Sequence, residues 1–84
     1  MQMKNDNKEM TAEQCRKDSF VRNELRKLLL HIDPNIVSVE YTVEYGEEYV
    51  TIKWLFESGK DLNKRICVTA DSFKALTVDV LKRI

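Results

Sequence analysis

The sequence predicts a two-layer α+β domain of order α-β-β-β-α, with both helices on one face of a three-stranded antiparallel meander. Three observations predict it. Residues 37–56 alternate between apolar and polar side chains around a glycine turn, residues 64–69 resume that alternation, and both flanking segments carry apolar residues at helical spacing. Because an isolated hairpin is marginal in water, the apolar side of the sheet requires the cover that two amphipathic helices supply.

The size and composition of the chain are those of a small globular protein. Its 84 residues are 43% hydrophobic and 33% charged, which gives room for one core, so we expect a single domain over residues 11–84. Residues 1–10 are polar and lack periodicity, and we expect a disordered tail there. No apolar run approaches the roughly 20 residues of a membrane span, and the N-terminus is too polar for a signal peptide. These features predict a cytoplasmic protein.

The charges balance overall but are unevenly spread. Fourteen basic and fourteen acidic residues cancel, so the net charge does not favour nucleic acid or an anionic membrane as a partner. Residues 36–60 carry five acids and two bases, whereas residues 61–84 carry five bases and three acids. The predicted hairpin is therefore the acidic end of the molecule.

The first helix has a clear start, an apolar stripe and a clear stop. Thr11 and Gln14 match a capping box, and the Asp33-Pro34 step disfavours a helical residue before the proline. The apolar stripe expected to face the sheet consists of Val21, Leu25, Leu28, Leu29 and Ile32. The opposite side, which includes Leu30, is expected to face solvent.

The hairpin is predicted to close through a two-residue loop, Gly46-Glu47, with glycine at the first, positive-φ position, or through a four-residue loop over residues 45–48 that preserves the same pairs. Tyr45 then faces Glu48, and the inward rows are Val37, Val39, Tyr41, Val43 and Tyr45 on one strand and Val50, Ile52, Trp54 and Phe56 on the other. The same register sets Thr42 opposite Thr51 and Glu40 opposite Lys53 on the outer face.

Residues 58–63 are rich in turn formers, and a third strand is predicted over residues 64–69. We expect Phe56 to pair with Ile66 and Trp54 with Val68, which places Leu55 beside Cys67 on the outer face. A slip by two residues would preserve both faces and leaves this register open. Asp71 or Ser72 then caps a last helix whose apolar face comprises Phe73, Leu76, Val80 and Ile84.

The residues that catalysis or metal binding would need are sparse. His31 is the only histidine, and it lies far in sequence from Cys67 and sixteen residues from Cys15. The two cysteines form no CxxC spacing, and both glycines fall in predicted turns rather than in a phosphate-binding loop. We therefore expect no enzyme, no metal and no cofactor, and we expect both cysteines to be reduced thiols.

The element order resembles that of the double-stranded RNA-binding domain across about residues 11–84. That family carries a lysine cluster, Lys-Lys-x-Ala-Lys, at the start of its second helix, where this chain has Asp71-Ser72-Phe73-Lys74-Ala75. Lys74 is the one match, and the hairpin turn, Gly46-Glu47-Glu48, is acidic. The resemblance therefore concerns topology, and RNA binding is not carried over from it.

The remaining function class is protein binding. We expect a non-catalytic module, such as an accessory or inhibitor protein of a phage or mobile element. Its contacts are predicted at an acidic hairpin tip and on the outer sheet face, through Glu44, Glu47, Glu48 and Leu55. A homodimer or an added strand at a sheet edge is also open. The alternative is a nucleic-acid-binding module that uses Arg16, Arg26 and Lys27 on the first helix.

Overall fold

The structure is a computed structural model that describes residues 10–84. The first helix, α1, is continuous but contains a wide turn, so that it runs through an α-helical, a π-helical and a second α-helical segment: Ala12–Phe20, Val21–Leu25 and Arg26–Ile32. The elements that follow are β1 (Ile36–Glu44), β2 (Glu47–Leu55), β3 (Asp61–Cys67) and helix α2 (Phe73–Leu81). The strands form an antiparallel sheet in the order β1-β2-β3. The predicted α+β class and element order are confirmed.

One apolar core lies between the helices and the inner face of the sheet. Its buried members come from every element: Val21, Leu25, Leu29, Ile36, Val39, Tyr41, Val50, Ile52, Trp54, Ile66, Val68, Leu76 and Val80.

The predicted tail lies outside the described residues except for Met10, which packs partly buried against this core. Among the described residues, no helix is long and apolar enough to cross a membrane.

The wide turn in α1 changes which residues face the sheet. Val21, Leu25 and Leu29 are buried, and they are spaced four residues apart. In a regular helix of 3.6 residues per turn, side chains at this spacing would point in progressively different directions. The π-helical segment adds a residue to one turn and so brings these three side chains into line. Every later position is displaced by about one residue. Leu28 and Ile32, predicted to face the core, are therefore 42% and 53% exposed.

The same displacement explains Leu30, which was predicted to face solvent. It is partly buried and packs against the core. The helix start and stop are as predicted, because Thr11 and Gln14 form the capping box and the helix ends at Ile32.

The hairpin register differs by two residues from the predicted one. The loop is Tyr45-Gly46 rather than Gly46-Glu47, so that Glu44 faces Glu47 and Thr42 faces Tyr49. Both loop residues have positive φ, 51° and 81°, which is the geometry of a type I′ turn and matches the twist of paired strands. A slip of two residues leaves every side chain on its predicted face, and the apolar pattern therefore does not distinguish the two registers.

A bulge between Ile36 and Ser38 reverses the alternation at the start of β1. Val37, predicted on the inner face, is 54% exposed, and its neighbour Ile36, which the same alternation assigns to the outer face, is buried. A bulge inserts one extra residue into a strand, which moves the preceding side chains to the opposite face.

The third strand begins earlier than predicted, at Asp61, and its register is offset from the predicted one. Trp54 faces Leu62 and Val50 faces Ile66. The predicted outer-face contact between Leu55 and Cys67 is therefore wrong, because Leu55 lies opposite Asp61 and Cys67 lies opposite Tyr49. The cause is a short connection, in which the Phe56 N–H donates to the Lys60 carbonyl and returns the chain directly into β3.

Candidate functional site

The hairpin tip presents an aromatic side chain that no other residue of the described part of the chain covers. Tyr45 is fully exposed, with a relative accessibility of 104%, and its φ of 51° lies in the left-handed region. That region costs an ordinary L-residue roughly 1–2 kcal/mol, and two-residue turns of this type favour Asn or Asp at the first position. The fold therefore holds a bulky tyrosine at a strained and unshielded position.

Two carboxylates flank the turn on the outer face of the sheet. Glu44 and Glu47 lie directly opposite each other and both are exposed. Like charges in this position destabilise a strand pair. The repulsion is partly offset by Arg65, which bonds to the Glu44 carboxylate, and by the Thr69 hydroxyl, which donates to Glu47 Oε1 at 2.8 Å.

Glu48, predicted at the exposed tip, is instead buried on the inner side of the sheet, and the expectation of its exposure is wrong. Lys17 on α1 donates to Glu48 Oε1 at 2.8 Å, and the Tyr41 hydroxyl donates to the same oxygen at 2.7 Å. The Ala70 N–H donates to Glu48 Oε2 at 3.0 Å. Glu48 lies within β2, two residues before Val50, so both side chains point to the inner face of the sheet.

The surroundings of this carboxylate set its charge. Burial alone raises the pKa of Glu48, but the bonds from Lys17, the Ala70 N–H and Tyr41 outweigh it and hold the pKa below its ordinary value. Burial, followed by the bond to Glu48, raises the pKa of Tyr41. Glu48 is thus an ionised acceptor and Tyr41 a protonated donor, an arrangement that stabilises the base of the tip.

The connection between β3 and α2 is hydrogen-bonded to the start of β2, next to the tip. The Glu48 N–H donates to Thr69 Oγ1 at 2.8 Å, and the Val68 N–H donates to the Glu48 carbonyl at 2.8 Å. Next along the chain, Asp71 has a buried carboxylate oxygen, Oδ2, to which no group among residues 10–84 donates a hydrogen bond. Burial and the neighbouring Asp79 carboxyl raise the pKa of Asp71.

Leu55 lies on the outer face but is not brought near the tip. It is 51% exposed and lines a shallow groove of about 270 Å³ together with Val37 and Asn63. It is eight residues beyond Glu47 on the same strand, which corresponds to about 27 Å at 3.4 Å per residue. The acidic tip and Leu55 are therefore two separate surfaces.

The residues of the nucleic-acid alternative, Arg16, Arg26 and Lys27, are all exposed on α1. His31 is exposed in the last turn of the same helix. Cys15 and Cys67 are free and exposed. Within residues 10–84, no three side chains among His, Cys, Asp and Glu are grouped so that they would hold a metal ion.

Tyr45 is the residue that the sequence did not single out for this site. The alternating pattern placed it in the inward apolar row, and its place in the turn follows only from the observed register. The available signal was Gly46 itself, since glycine also occupies the second loop position of a type I′ turn.

Comparison with protein-family models, with curated proteins and with solved structures finds no match for this chain.

Proposed function

We propose that this protein is a non-catalytic binding module that contacts a basic surface of another protein through its hairpin tip, defined as Glu44, Tyr45, Gly46 and Glu47. The observation that carries the proposal is the fully exposed Tyr45 at positive φ between two facing glutamates. Strained backbone persists where the surrounding structure imposes it, and such sites cluster where proteins act on ligands.

Each feature of the tip has a cost that a partner would offset. An exposed tyrosine gains contact area when a partner covers it, and tyrosine is enriched among the residues that dominate binding energy. The repulsion between Glu44 and Glu47 is relieved by Lys or Arg side chains on the other surface. Beneath the tip, the buried Lys17–Glu48 pair keeps the loop in place, so that little ordering entropy is lost on binding.

An accessory or inhibitor role, including that of a small protein of a phage or mobile element, is the biological setting we propose for such a module. An acidic tip of this kind complements a protein groove lined by basic residues. The rival class is a nucleic-acid module that uses Arg16, Arg26 and Lys27, and the experiment is designed to separate the two.

The test is quantitative affinity capture from lysate of the native cells, with and without nuclease. The wild-type chain is compared with Glu44→Lys/Glu47→Lys and with a control, Glu24→Lys/Glu57→Lys, which makes the same charge change at two exposed positions outside the tip. We expect a nuclease-resistant protein partner that the wild type and the control retain and the tip variant loses.

Retention of that partner by the tip variant would contradict the proposal. Nuclease-sensitive capture that is lost on charge reversal of Arg16, Arg26 and Lys27 would favour the nucleic-acid alternative. The melting temperature of each variant shows whether a loss of capture reflects unfolding.

A further inference from the structure

The outer edge of β1 presents backbone groups that the sheet leaves unpaired. Within the described part of the chain, β1 has a strand neighbour on one side only, so alternate residues direct their N–H and C=O groups away from β2. A two-residue turn makes Glu44 and Glu47 a hydrogen-bonded pair, and the even-numbered residues of β1 therefore bond to β2. The outward groups are those of Val39, Tyr41 and Val43.

Two other backbone hydrogen bonds support this assignment of even-numbered and odd-numbered residues. The Leu55 N–H donates to the Asn35 carbonyl, and the Glu48 carbonyl accepts from Val68. Odd residues of β2 thus bond toward β1, and even residues bond toward β3. The alternation along β1 follows from that of its partner.

A groove runs along this free edge. It measures about 510 Å³ and lies between residues 40–44 of β1 and the helix side chains Asp18 and Arg22, with Met10 at one end. This volume falls within the roughly 300–1,000 Å³ range of pockets that hold ligands. The groove is open to solvent, and its floor offers both hydrogen-bonding backbone and the flanks of Tyr41 and Val43.

The charges around the groove favour a basic occupant. Glu40 and Glu44 are exposed on the outer face of β1, where Glu44 is bonded to Arg65, and Asp18 contributes a third carboxylate to the lining. Among the residues of 10–84 that line the groove, Arg22 is the one base, and it is already paired with Asp18 at 2.9 Å. A second copy of this chain would bring its own Glu40 and Glu44 to the same face, where like charges destabilise pairing.

We infer that the β1 edge receives an extended segment of the partner as an additional antiparallel strand. Side chains alternate between faces, so the five positions opposite residues 40–44 require basic, apolar, polar, apolar and basic residues in turn. The basic residues lie beside Glu40 and Glu44, and the apolar residues lie beside Tyr41 and Val43. The inference rests on the proposed protein-binding function, because Glu44 belongs to both surfaces, and it adds the partner's conformation and sequence pattern.

The test uses a synthetic peptide with the core Lys-Val-Thr-Val-Lys, flanked by serines, at low salt. Amide hydrogen exchange of the whole protein is followed by NMR. We expect the Val39, Tyr41 and Val43 amides to exchange faster than those of Glu40 and Thr42 in the free protein. On peptide addition, exchange at the three outward amides should slow by at least about tenfold, since each gains a hydrogen bond.

Two matched peptides complete the design. N-methylation of both valine amides removes the backbone donors and is expected to abolish the protection, and replacement of both lysines by glutamate is expected to do the same. Absence of binding, binding without protection of the three amides, or equal binding of the methylated peptide would overturn strand addition. Concentration-dependent protection in the free protein would overturn it as well, because it would assign the edge to a second copy.

These outcomes are distinguishable from a failure of the proposed function. If Glu44→Lys/Glu47→Lys loses the cellular partner while the methylated peptide still binds, the tip contact stands and strand addition fails. If that variant keeps the partner while the peptide protects the edge, the reverse holds.

Discussion

The ammonium group of Lys17 lies 2.8 Å from Glu48 Oε1, and both side chains are almost inaccessible to solvent. This ion pair joins α1 to the first residues of β2, directly below the hairpin tip. Tyr41 and the Ala70 N–H bond to the same carboxylate, so that β1 and the connection before α2 meet there too. A buried charge is tolerated when it is paired and its remaining lone pairs are satisfied, and Glu48 meets both conditions.

Removal of either partner of this ion pair should destabilise the fold. Lys17→Met leaves the Glu48 carboxylate buried without its countercharge and should lower the free energy of unfolding by about 3–5 kcal/mol. The double variant Lys17→Met/Glu48→Gln removes the uncompensated charge and should be less destabilised than the single variant. Urea unfolding of both proteins measures the difference. Equal losses would show that charge compensation does not stabilise this site.

The pH dependence of stability follows from the depressed pKa of Glu48. A carboxyl group whose pKa is lowered on folding contributes stability that is fully present above its unfolded value, about 4.5, and is lost as pH falls through the folded value. The stability difference between wild type and Glu48→Gln should therefore shrink below about pH 4.5. Urea unfolding across pH 3–7 checks this, and a difference that is constant over the range would contradict it.

Asp71 is expected to respond with the opposite sign. Its pKa is raised by burial and by Asp79, so its contribution is fully present below its unfolded value, about 3.8, and is lost as pH rises through the folded value. Asp71→Asn removes the buried charge and adds an N–H donor toward Asp79. The melting temperature should rise at pH 7 and change less at pH 4. A lower melting temperature at pH 7 would indicate that the ionised Asp71 stabilises the fold.

The wide turn of α1 predicts different effects at two neighbouring leucines. Leu29 is fully buried and Leu28 is 42% exposed. Leu29→Ala should cost about 2–5 kcal/mol of unfolding free energy, because it creates a cavity in the core. Leu28→Ala, which deletes the same atoms, should cost well under half of that. Comparable losses at both positions would indicate a regular helix without the extra residue.

The fold class was predictable because short stretches of the sequence determine where each helix and strand begins and ends. The capping box at Thr11, the stop at Pro34 and the alternation of β2 each favour one local structure. The registers were not predictable, because a shift by an even number of residues leaves the apolar rows on the same face. The π-helical turn was encoded in the four-residue spacing of Val21, Leu25 and Leu29, which a regular apolar stripe also approximates.

The candidate site was predictable in part. The placement of two glutamates beside Gly46 indicated an acidic tip, and Glu44 and Glu47 are exposed there. Glu48 was assigned to the same tip because a charged residue beside a turn usually faces solvent. Its burial depends on Lys17, thirty-one residues away in sequence, and on bonds from Tyr41 and the Ala70 N–H. These are tertiary contacts that local patterns do not contain.

A substitution at Tyr45 should change stability and partner binding in opposite directions. Asn tolerates the left-handed region better than tyrosine, and Asn-Gly is a preferred type I′ loop, so Tyr45→Asn should stabilise the protein by up to about 1 kcal/mol. No core contact is lost, because the tyrosine side chain is fully exposed. The proposed function requires the opposite effect on partner capture.

The most direct measurement is therefore to determine the melting temperature and the nuclease-resistant partner capture of Tyr45→Asn beside those of the wild type. A raised melting temperature with loss of the partner is the predicted result, and it would show that the strained tyrosine serves recognition. Undiminished capture by a protein that is equally or more stable would contradict the assignment of the hairpin tip as the binding site.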